Sequence, residues 1–115
     1  MKIGKLYKMN NFIWSLFPTK KKVAEKECFQ FPIVGYPIPC PINHVDGLGR
    51  NSETISKTVA KNQSINLNCN VVATNNTTFL LLEEDGMFLK ILSSDNQVGW
   101  IIAPKVYQNN FEEII

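Results

Sequence analysis

The chain predicts an all-β fold, a small β-barrel carrying one long Pro-containing insertion, and three observations predict it. Residues 79–102 hold three apolar runs, parted by the turn signals Glu83-Glu84-Asp85-Gly86 and Ser93-Ser94-Asp95-Asn96, which is how a tight antiparallel meander is written. Ser64 to Val71 alternates polar and apolar residues, with Ile65, Leu67, Cys69 and Val71 on the inward side. Phe12 to Phe17 is rich in aromatic residues, as strands are. At 115 residues the chain is one domain, residues 1–115, with length for a single core.

In chain order, Ile3 to Lys8 predicts a first strand, and Asn10-Asn11 turns it into the second. Phe12, Trp14 and Leu16 share one face of that second strand, which Pro18 ends because proline cannot donate to a sheet ladder. Thr19 to Glu27 reads as a short helix, although Lys20, Lys21 and Lys22 would sit in its first turn, where the helix dipole disfavours cations. From about residue 28 to residue 57 periodicity disappears. Pro32, Pro37, Pro39 and Pro41 keep this stretch locally extended, and Gly35, Gly47 and Gly49 loosen it. An irregular insertion of that length points to a functional segment or one ordered against a partner. After the alternating strand, Asn75-Asn76 leads into the meander, and Gly86 supplies a positive φ for its first hairpin. Each inward residue of the meander contributes about 1.5–3 kcal/mol by burial. Ala103 to Tyr107 reads as a 3₁₀ turn, and Phe111 to Ile115 as a closing strand beside the first.

Composition excludes several roles. No run reaches the roughly 18 apolar residues of a membrane span. Lys2, Lys5 and Lys8 interrupt any signal-peptide core, so secretion through a classical signal peptide is not expected. Cys28, Cys40 and Cys69 are an odd, irregularly spaced set, unlike a disulfide framework. The net charge of +2 conceals a basic head, through Gln30, on a mildly acidic body. Abundant Asn, Ile and Lys with the single Arg50 reads as coding from an AT-rich genome.

Chemical constellations are thin. Cys28, Cys40, His44 and Cys69 hold the ligand types for a zinc but lack a paired knuckle. A thiol nucleophile would need His44 as base and Asp46 to orient it, with no surrounding motif. Glu83, Glu84 and Asp85 read as solvated turn residues, and Gly47-Leu48-Gly49-Arg50 lacks the rest of a phosphate-binding loop. Lys20, Lys21 and Lys22 beside Trp14 and Phe17 supply cations and aromatics for a nucleic-acid reading, although both aromatics sit on a strong strand. Trp100 reads as a core or rim aromatic before a ligand platform. No catalytic residue, metal or cofactor is assigned.

Gly86, Leu89-Lys90-Ile91 and Val98-Gly99-Trp100-Ile101 resemble the bacterial type of SH3-like small β-barrel, in which a Gly-turn hairpin precedes a Gly-Trp-aliphatic strand, a 3₁₀ turn and a closing strand. The resemblance covers about residues 64–115 and, more weakly, the first seventeen residues, which are similar to the opening of small phage-encoded SH3-like proteins. It implies an SH3-like domain with an insertion at 28–57, but the fold alone selects no job. The expected function is a non-enzymatic protein–protein interaction module, a structural or accessory component of a larger assembly such as a phage virion, located in the virion or the host cytoplasm. Its partner would be another protein or copies of itself, with no membrane involved. Phe29, Phe31, Ile33, Tyr36, Ile38 and Ile42 form the apolar arm expected to bind it. A nucleic-acid-binding accessory protein using Lys20, Lys21 and Lys22 is the alternative, and a small Cys/His metal-binding or thiol enzyme a further one.

Overall fold

In a strand, successive side chains leave on opposite faces, and the meander expresses that period in its burial. The structure, a computed structural model, describes residues 1–9, 11–19, 40–55, 57–58 and 77–114, with residues 70–72 described by backbone alone. Within them the chain is mostly β. Its strands are β1 (Leu6–Lys8), β2 (Phe12–Leu16), β3 (Cys40–Pro41), β4 (Asn70–Val72), β5 (Thr78–Asp85), β6 (Phe88–Ser93), β7 (Val98–Ile102) and β8 (Glu112–Glu113). Five of them form a sheet in the order β7-β6-β5-β1-β8, and three form a second in the order β3-β2-β4. Every pairing is antiparallel. The closing strand lies beside the first, as the sequence predicts.

The first hairpin is tighter than expected. Asp85 pairs with Phe88, leaving Gly86 and Met87 as the loop. Gly86 has φ +60°, at the position where a type II′ turn needs a positive value. Glu83 and Glu84 therefore belong to β5 and not to the turn. A bulge between Leu81 and Glu83 shifts the register, so that Glu83 pairs with Lys90 (side chains 3.4 Å apart) while Glu84 reaches Lys105 at 3.7 Å. In the second hairpin the Ser93 N–H donates to the Gln97 carbonyl and the Asn96 N–H to the Ser93 carbonyl, with Asn96 left-handed at φ 62°. β1 is also shorter than predicted. Gly4, at φ +83°, turns the chain there while its N–H donates to the Leu81 carbonyl.

The expected 3₁₀ turn is a four-residue α-helix, Lys105–Gln108. Buried Gln108 donates from Nε2 to the carbonyls of Gly86 (3.0 Å) and Ala103 (2.6 Å), tying the hairpin tip to the helix.

The core lies on one face of the five-stranded sheet, where Tyr7, Phe79, Leu81, Leu89, Ile91 and Ile101 meet Trp14 and Leu16 of β2. Its centre is aromatic. Trp14 is fully buried, with its ring centroid 5.3 Å from that of Phe111, which meets Phe79 edge-on at 5.2 Å; Phe79 stacks on Tyr7. Such pairs add about 0.5–1.5 kcal/mol each beyond the area they bury. The other side of β2 is buried too, at Ile13, Ser15 and Phe17.

Phe17 continues β2 to β7. It exchanges both backbone hydrogen bonds with Trp100, at 2.8 and 2.7 Å. A Cβ on neighbouring Gly99 would sit 2.6 Å from the Phe17 carbonyl oxygen and 2.7 Å from Leu16 Cγ, so only glycine allows this approach. Among the described residues the two sheets meet through this bridge and do not close into one continuous ladder.

The second half of the insertion is more regular than its sequence predicts. β3 pairs with Phe12 and Ile13 of β2. Residues 52–55 are helical, and Asn51 caps them by accepting the Thr54 N–H at Oδ1 (2.9 Å). Glu53 and Lys57 form an i,i+4 ion pair at 2.8 Å. The expected helix over Thr19 to Glu27, apart from Thr19 itself, the strand residues 64–69 and the Asn75-Asn76 turn lie outside the described residues.

Candidate functional site

Of the residues proposed for thiol or metal chemistry, Cys28 and Cys69 lie outside the described residues, and Cys40 and Asp46 are each engaged in local structure. Cys40 is buried on β3, 3% accessible, with its thiol directed at the adjacent Pro41 carbonyl (3.8 Å). Asp46 is occupied by its own loop. Its Oδ1 accepts the N–H groups of Leu48 (2.9 Å) and Arg50 (2.8 Å), while Oδ2 accepts Arg50 Nε at 2.7 Å. The Asp46 side chain is 2% accessible. Burial alone would raise its pKa, but the hydrogen bonds from Arg50 and Leu48, with the guanidinium charge, hold it below the ordinary Asp range. This carboxylate acts as a loop clasp. Among the described residues no group of three or more His, Cys, Asp or Glu side chains is placed to hold a metal ion.

The aromatics beside the lysine cluster are equally committed. Trp14 and Phe17 are both fully buried and present no ring to a nucleobase. Lys20, Lys21 and Lys22 lie outside the described residues, as do Phe29, Phe31, Ile33, Tyr36 and Ile38 of the apolar arm. Ile42 is half-buried. Its N–H donates to the Asn11 carbonyl (3.2 Å) and its carbonyl accepts the Ser52 hydroxyl, so it is tied between β2 and the helical turn. Trp100 is half-buried on the outward side of β7, opposite Lys90.

The five-stranded sheet carries a feature that the search for motifs missed. On its outer face, one cross-strand row is aliphatic from edge to edge. Val98 pairs with Leu92, Leu92 with Leu80, and Leu80 with Leu6. The row ends at Ile114, whose N–H donates to the Leu6 carbonyl at 2.9 Å. Residues directly opposite in an antiparallel ladder point to the same face, and the inward neighbours Phe79, Leu81, Ile91 and Tyr7 fix this as the outward one. Val98 is 54% accessible, Leu6 46% and Ile114 39%, with Leu80 and Leu92 half-buried between them. Four strand spacings make the row about 19 Å long.

An antiparallel sheet with one solvated face normally alternates apolar-in with polar-out. The sequence did carry the departure: Phe79 to Leu82 and Ile91-Leu92 are unbroken apolar runs, which put hydrocarbon on both faces. Polar residues and Trp100 flank the row. Lys90 and Glu83 lie on one side, and Thr78, Lys8 and Glu112 on the other, where Lys8 pairs with Thr78 and Glu112. Such an arrangement can hold an apolar partner through its centre and orient it through its rim. Compared with known proteins, the chain matches no protein-family model, no curated protein and no solved structure.

Proposed function

We propose that this protein is a non-enzymatic protein–protein interaction module built on an SH3-like small barrel, serving as a structural or accessory component of a larger assembly such as a virion. The fold part of this reading draws on the three-stranded meander, the helical turn after it, the closing strand beside β1 and the bridge from β2 to β7. The functional part rests on one observation, the outward aliphatic row from Val98 to Ile114. A sheet face of this kind gains from being covered, and each aliphatic side chain fully covered by a partner contributes about 1.5–3 kcal/mol before the costs of association.

The test is the binding of a solvatochromic hydrophobic dye to the full chain. Wild-type protein should enhance the dye's fluorescence, and Leu80→Asp should reduce the enhancement at least about fivefold while leaving circular dichroism unchanged. Equal enhancement in both would remove the row as the binding surface. The nucleic-acid reading keeps only its lysines, because the aromatic half of that pairing is in the core.

A further inference from the structure

We infer that Asp85 is a site of spontaneous backbone modification, where the Asp85-Gly86 step closes to a succinimide and reopens as isoaspartate, while the identical Asp46-Gly47 step is shielded by its loop. The chain holds these two Asp-Gly steps. Glycine favours the reaction, because no side chain hinders its nitrogen as it nears the aspartate carboxyl carbon. In ring closure the Gly86 nitrogen bonds to Asp85 Cγ, and one water leaves with the carboxyl hydroxyl and the amide proton. Water then opens the ring at either carbonyl. Opening at the α-carbonyl leaves the main chain running through Cβ and Cγ, so the sum is an isomerisation that needs no reactant but water.

The surroundings of the two steps differ. The Asp46 side chain is 2% accessible. Its Oδ1 accepts the N–H groups of Leu48 and Arg50, and its Oδ2 accepts Arg50 Nε. The loop is closed further by the Asp46 N–H on the Arg50 carbonyl and the Gly49 N–H on the Asp46 carbonyl. Turning Cγ toward the Gly47 nitrogen would break the three side-chain bonds together. Burial would raise the pKa of this carboxyl, but the hydrogen bonds hold it below the ordinary range, which withholds the proton that must leave with the water.

Asp85 is exposed at the end of β5, and its successor opens a two-residue loop. Gly86 is exposed too, and its N–H donates to no acceptor among the described residues, so the attacking nitrogen is not tied into the ladder. Closing the ring here takes the terminal Asp85–Phe88 pair out of the sheet and leaves the run from Glu84 back to Phe79 in register. Such loop tips are where a chain tolerates change. The product still has a consequence. Isoaspartate adds one atom to the main chain just before the Gly86 carbonyl that Gln108 holds at 3.0 Å. The hairpin tip then no longer fits its tie to the helical turn, and an aged chain is less stable than a fresh one.

The experiment incubates the full chain in mildly acidic water enriched in heavy oxygen, where part of the carboxyl is protonated. Each ring opening deposits one heavy oxygen, which tandem mass spectrometry of a tryptic digest places at its residue. Cleavage after Arg50 and Lys57 puts the two sites on separate peptides. Label at Asp85 should exceed label at Asp46 at least about tenfold, the factor that goes with breaking one charge-assisted hydrogen bond. Asp85→Glu keeps the charge but cannot close the five-membered ring. It should carry no label there and should hold its melting temperature on ageing while that of wild type falls. Unfolded in urea, wild type should label both sites alike, because the dipeptide is the same. Equal label at the two sites of the folded chain overturns the proposal, as does label at Asp85 no higher than in Asp85→Glu. A preference for Asp85 that persists in urea would overturn the loop as the source of protection. Wild type that gains label yet melts unchanged would overturn the loosened tie.

Discussion

The two faces of the five-stranded sheet are made from neighbouring residues of the same strands, yet they do different work. Inward, Tyr7, Phe79, Leu81, Leu89, Ile91 and Ile101 interlock with Trp14 and Phe111. Outward, Leu6, Leu80, Leu92 and Val98 stand in a single row with solvent over much of it. Both sets are hydrocarbon. They differ in geometry and not in hydropathy, because rings and branched chains converge on the inside while the outer row meets no second layer in the described residues. At this row the parity of a position separates the sealed core from solvent-facing hydrocarbon.

The largest effect should come from the inward side. Trp14→Ala is expected to cost about 3–5 kcal/mol in urea unfolding, through the cavity left among Phe12, Tyr107 and Phe111. Leu6→Ala, on the outward row, should stay within about 0.5 kcal/mol of wild type by the same assay. Comparable costs would mean that the outer row is covered. Gly99→Ala tests the close approach of β2 to β7. Its methyl has to displace the Phe17 carbonyl, which should cost about 1–3 kcal/mol. Next in size is Gln108→Ala, which leaves the Gly86 and Ala103 carbonyls without the Nε2 donor and should lose about 1–2 kcal/mol.

The smallest predicted effect lies away from the sheet and separates loop order from sheet stability. Asp46 has a depressed pKa in the folded chain, so its contribution to stability is full above its unfolded value near about 4 and is lost as pH falls through the lower folded value. Asp46→Asn should lower stability modestly at neutral pH, where the charged clasp is fully formed, and converge on wild type in acid, which flattens the acid limb below about pH 4. Melting curves across that range check the direction. A steeper acid limb in the variant would contradict the clasp.

The sequence reads clearly where local signals and burial agree. Gly86 marked a hairpin, the alternation through Leu89 and Ile91 marked an inward face, and Phe12, Trp14 and Leu16 fell on one side of β2 as expected. It reads poorly where a long-range register decides. The bulge at Leu82 moved Glu83 and Glu84 out of the turn, and no local pattern announces a bulge. The row from Val98 to Ile114 draws one residue from each of five segments, and only strand order brings them together. Asn51 and the Glu53–Lys57 spacing were legible as a helix start, but prolines and glycines upstream obscured them. The expected arm was sought in a long apolar segment, although an equally apolar surface lay in the meander, hidden by runs that looked like core.

The most direct measurement is urea unfolding of Leu80→Asp beside Leu81→Asp at low protein concentration, followed by tryptophan fluorescence. The two positions are adjacent, and a one-residue step reverses the face on which the carboxylate lands. Leu80→Asp should unfold cooperatively at a midpoint close to wild type, and Leu81→Asp, with a charge in the sealed core, should be unfolded before urea is added. If Leu80→Asp is as damaging as Leu81→Asp, the outer row is buried in the monomer and the face offers nothing for a partner to cover.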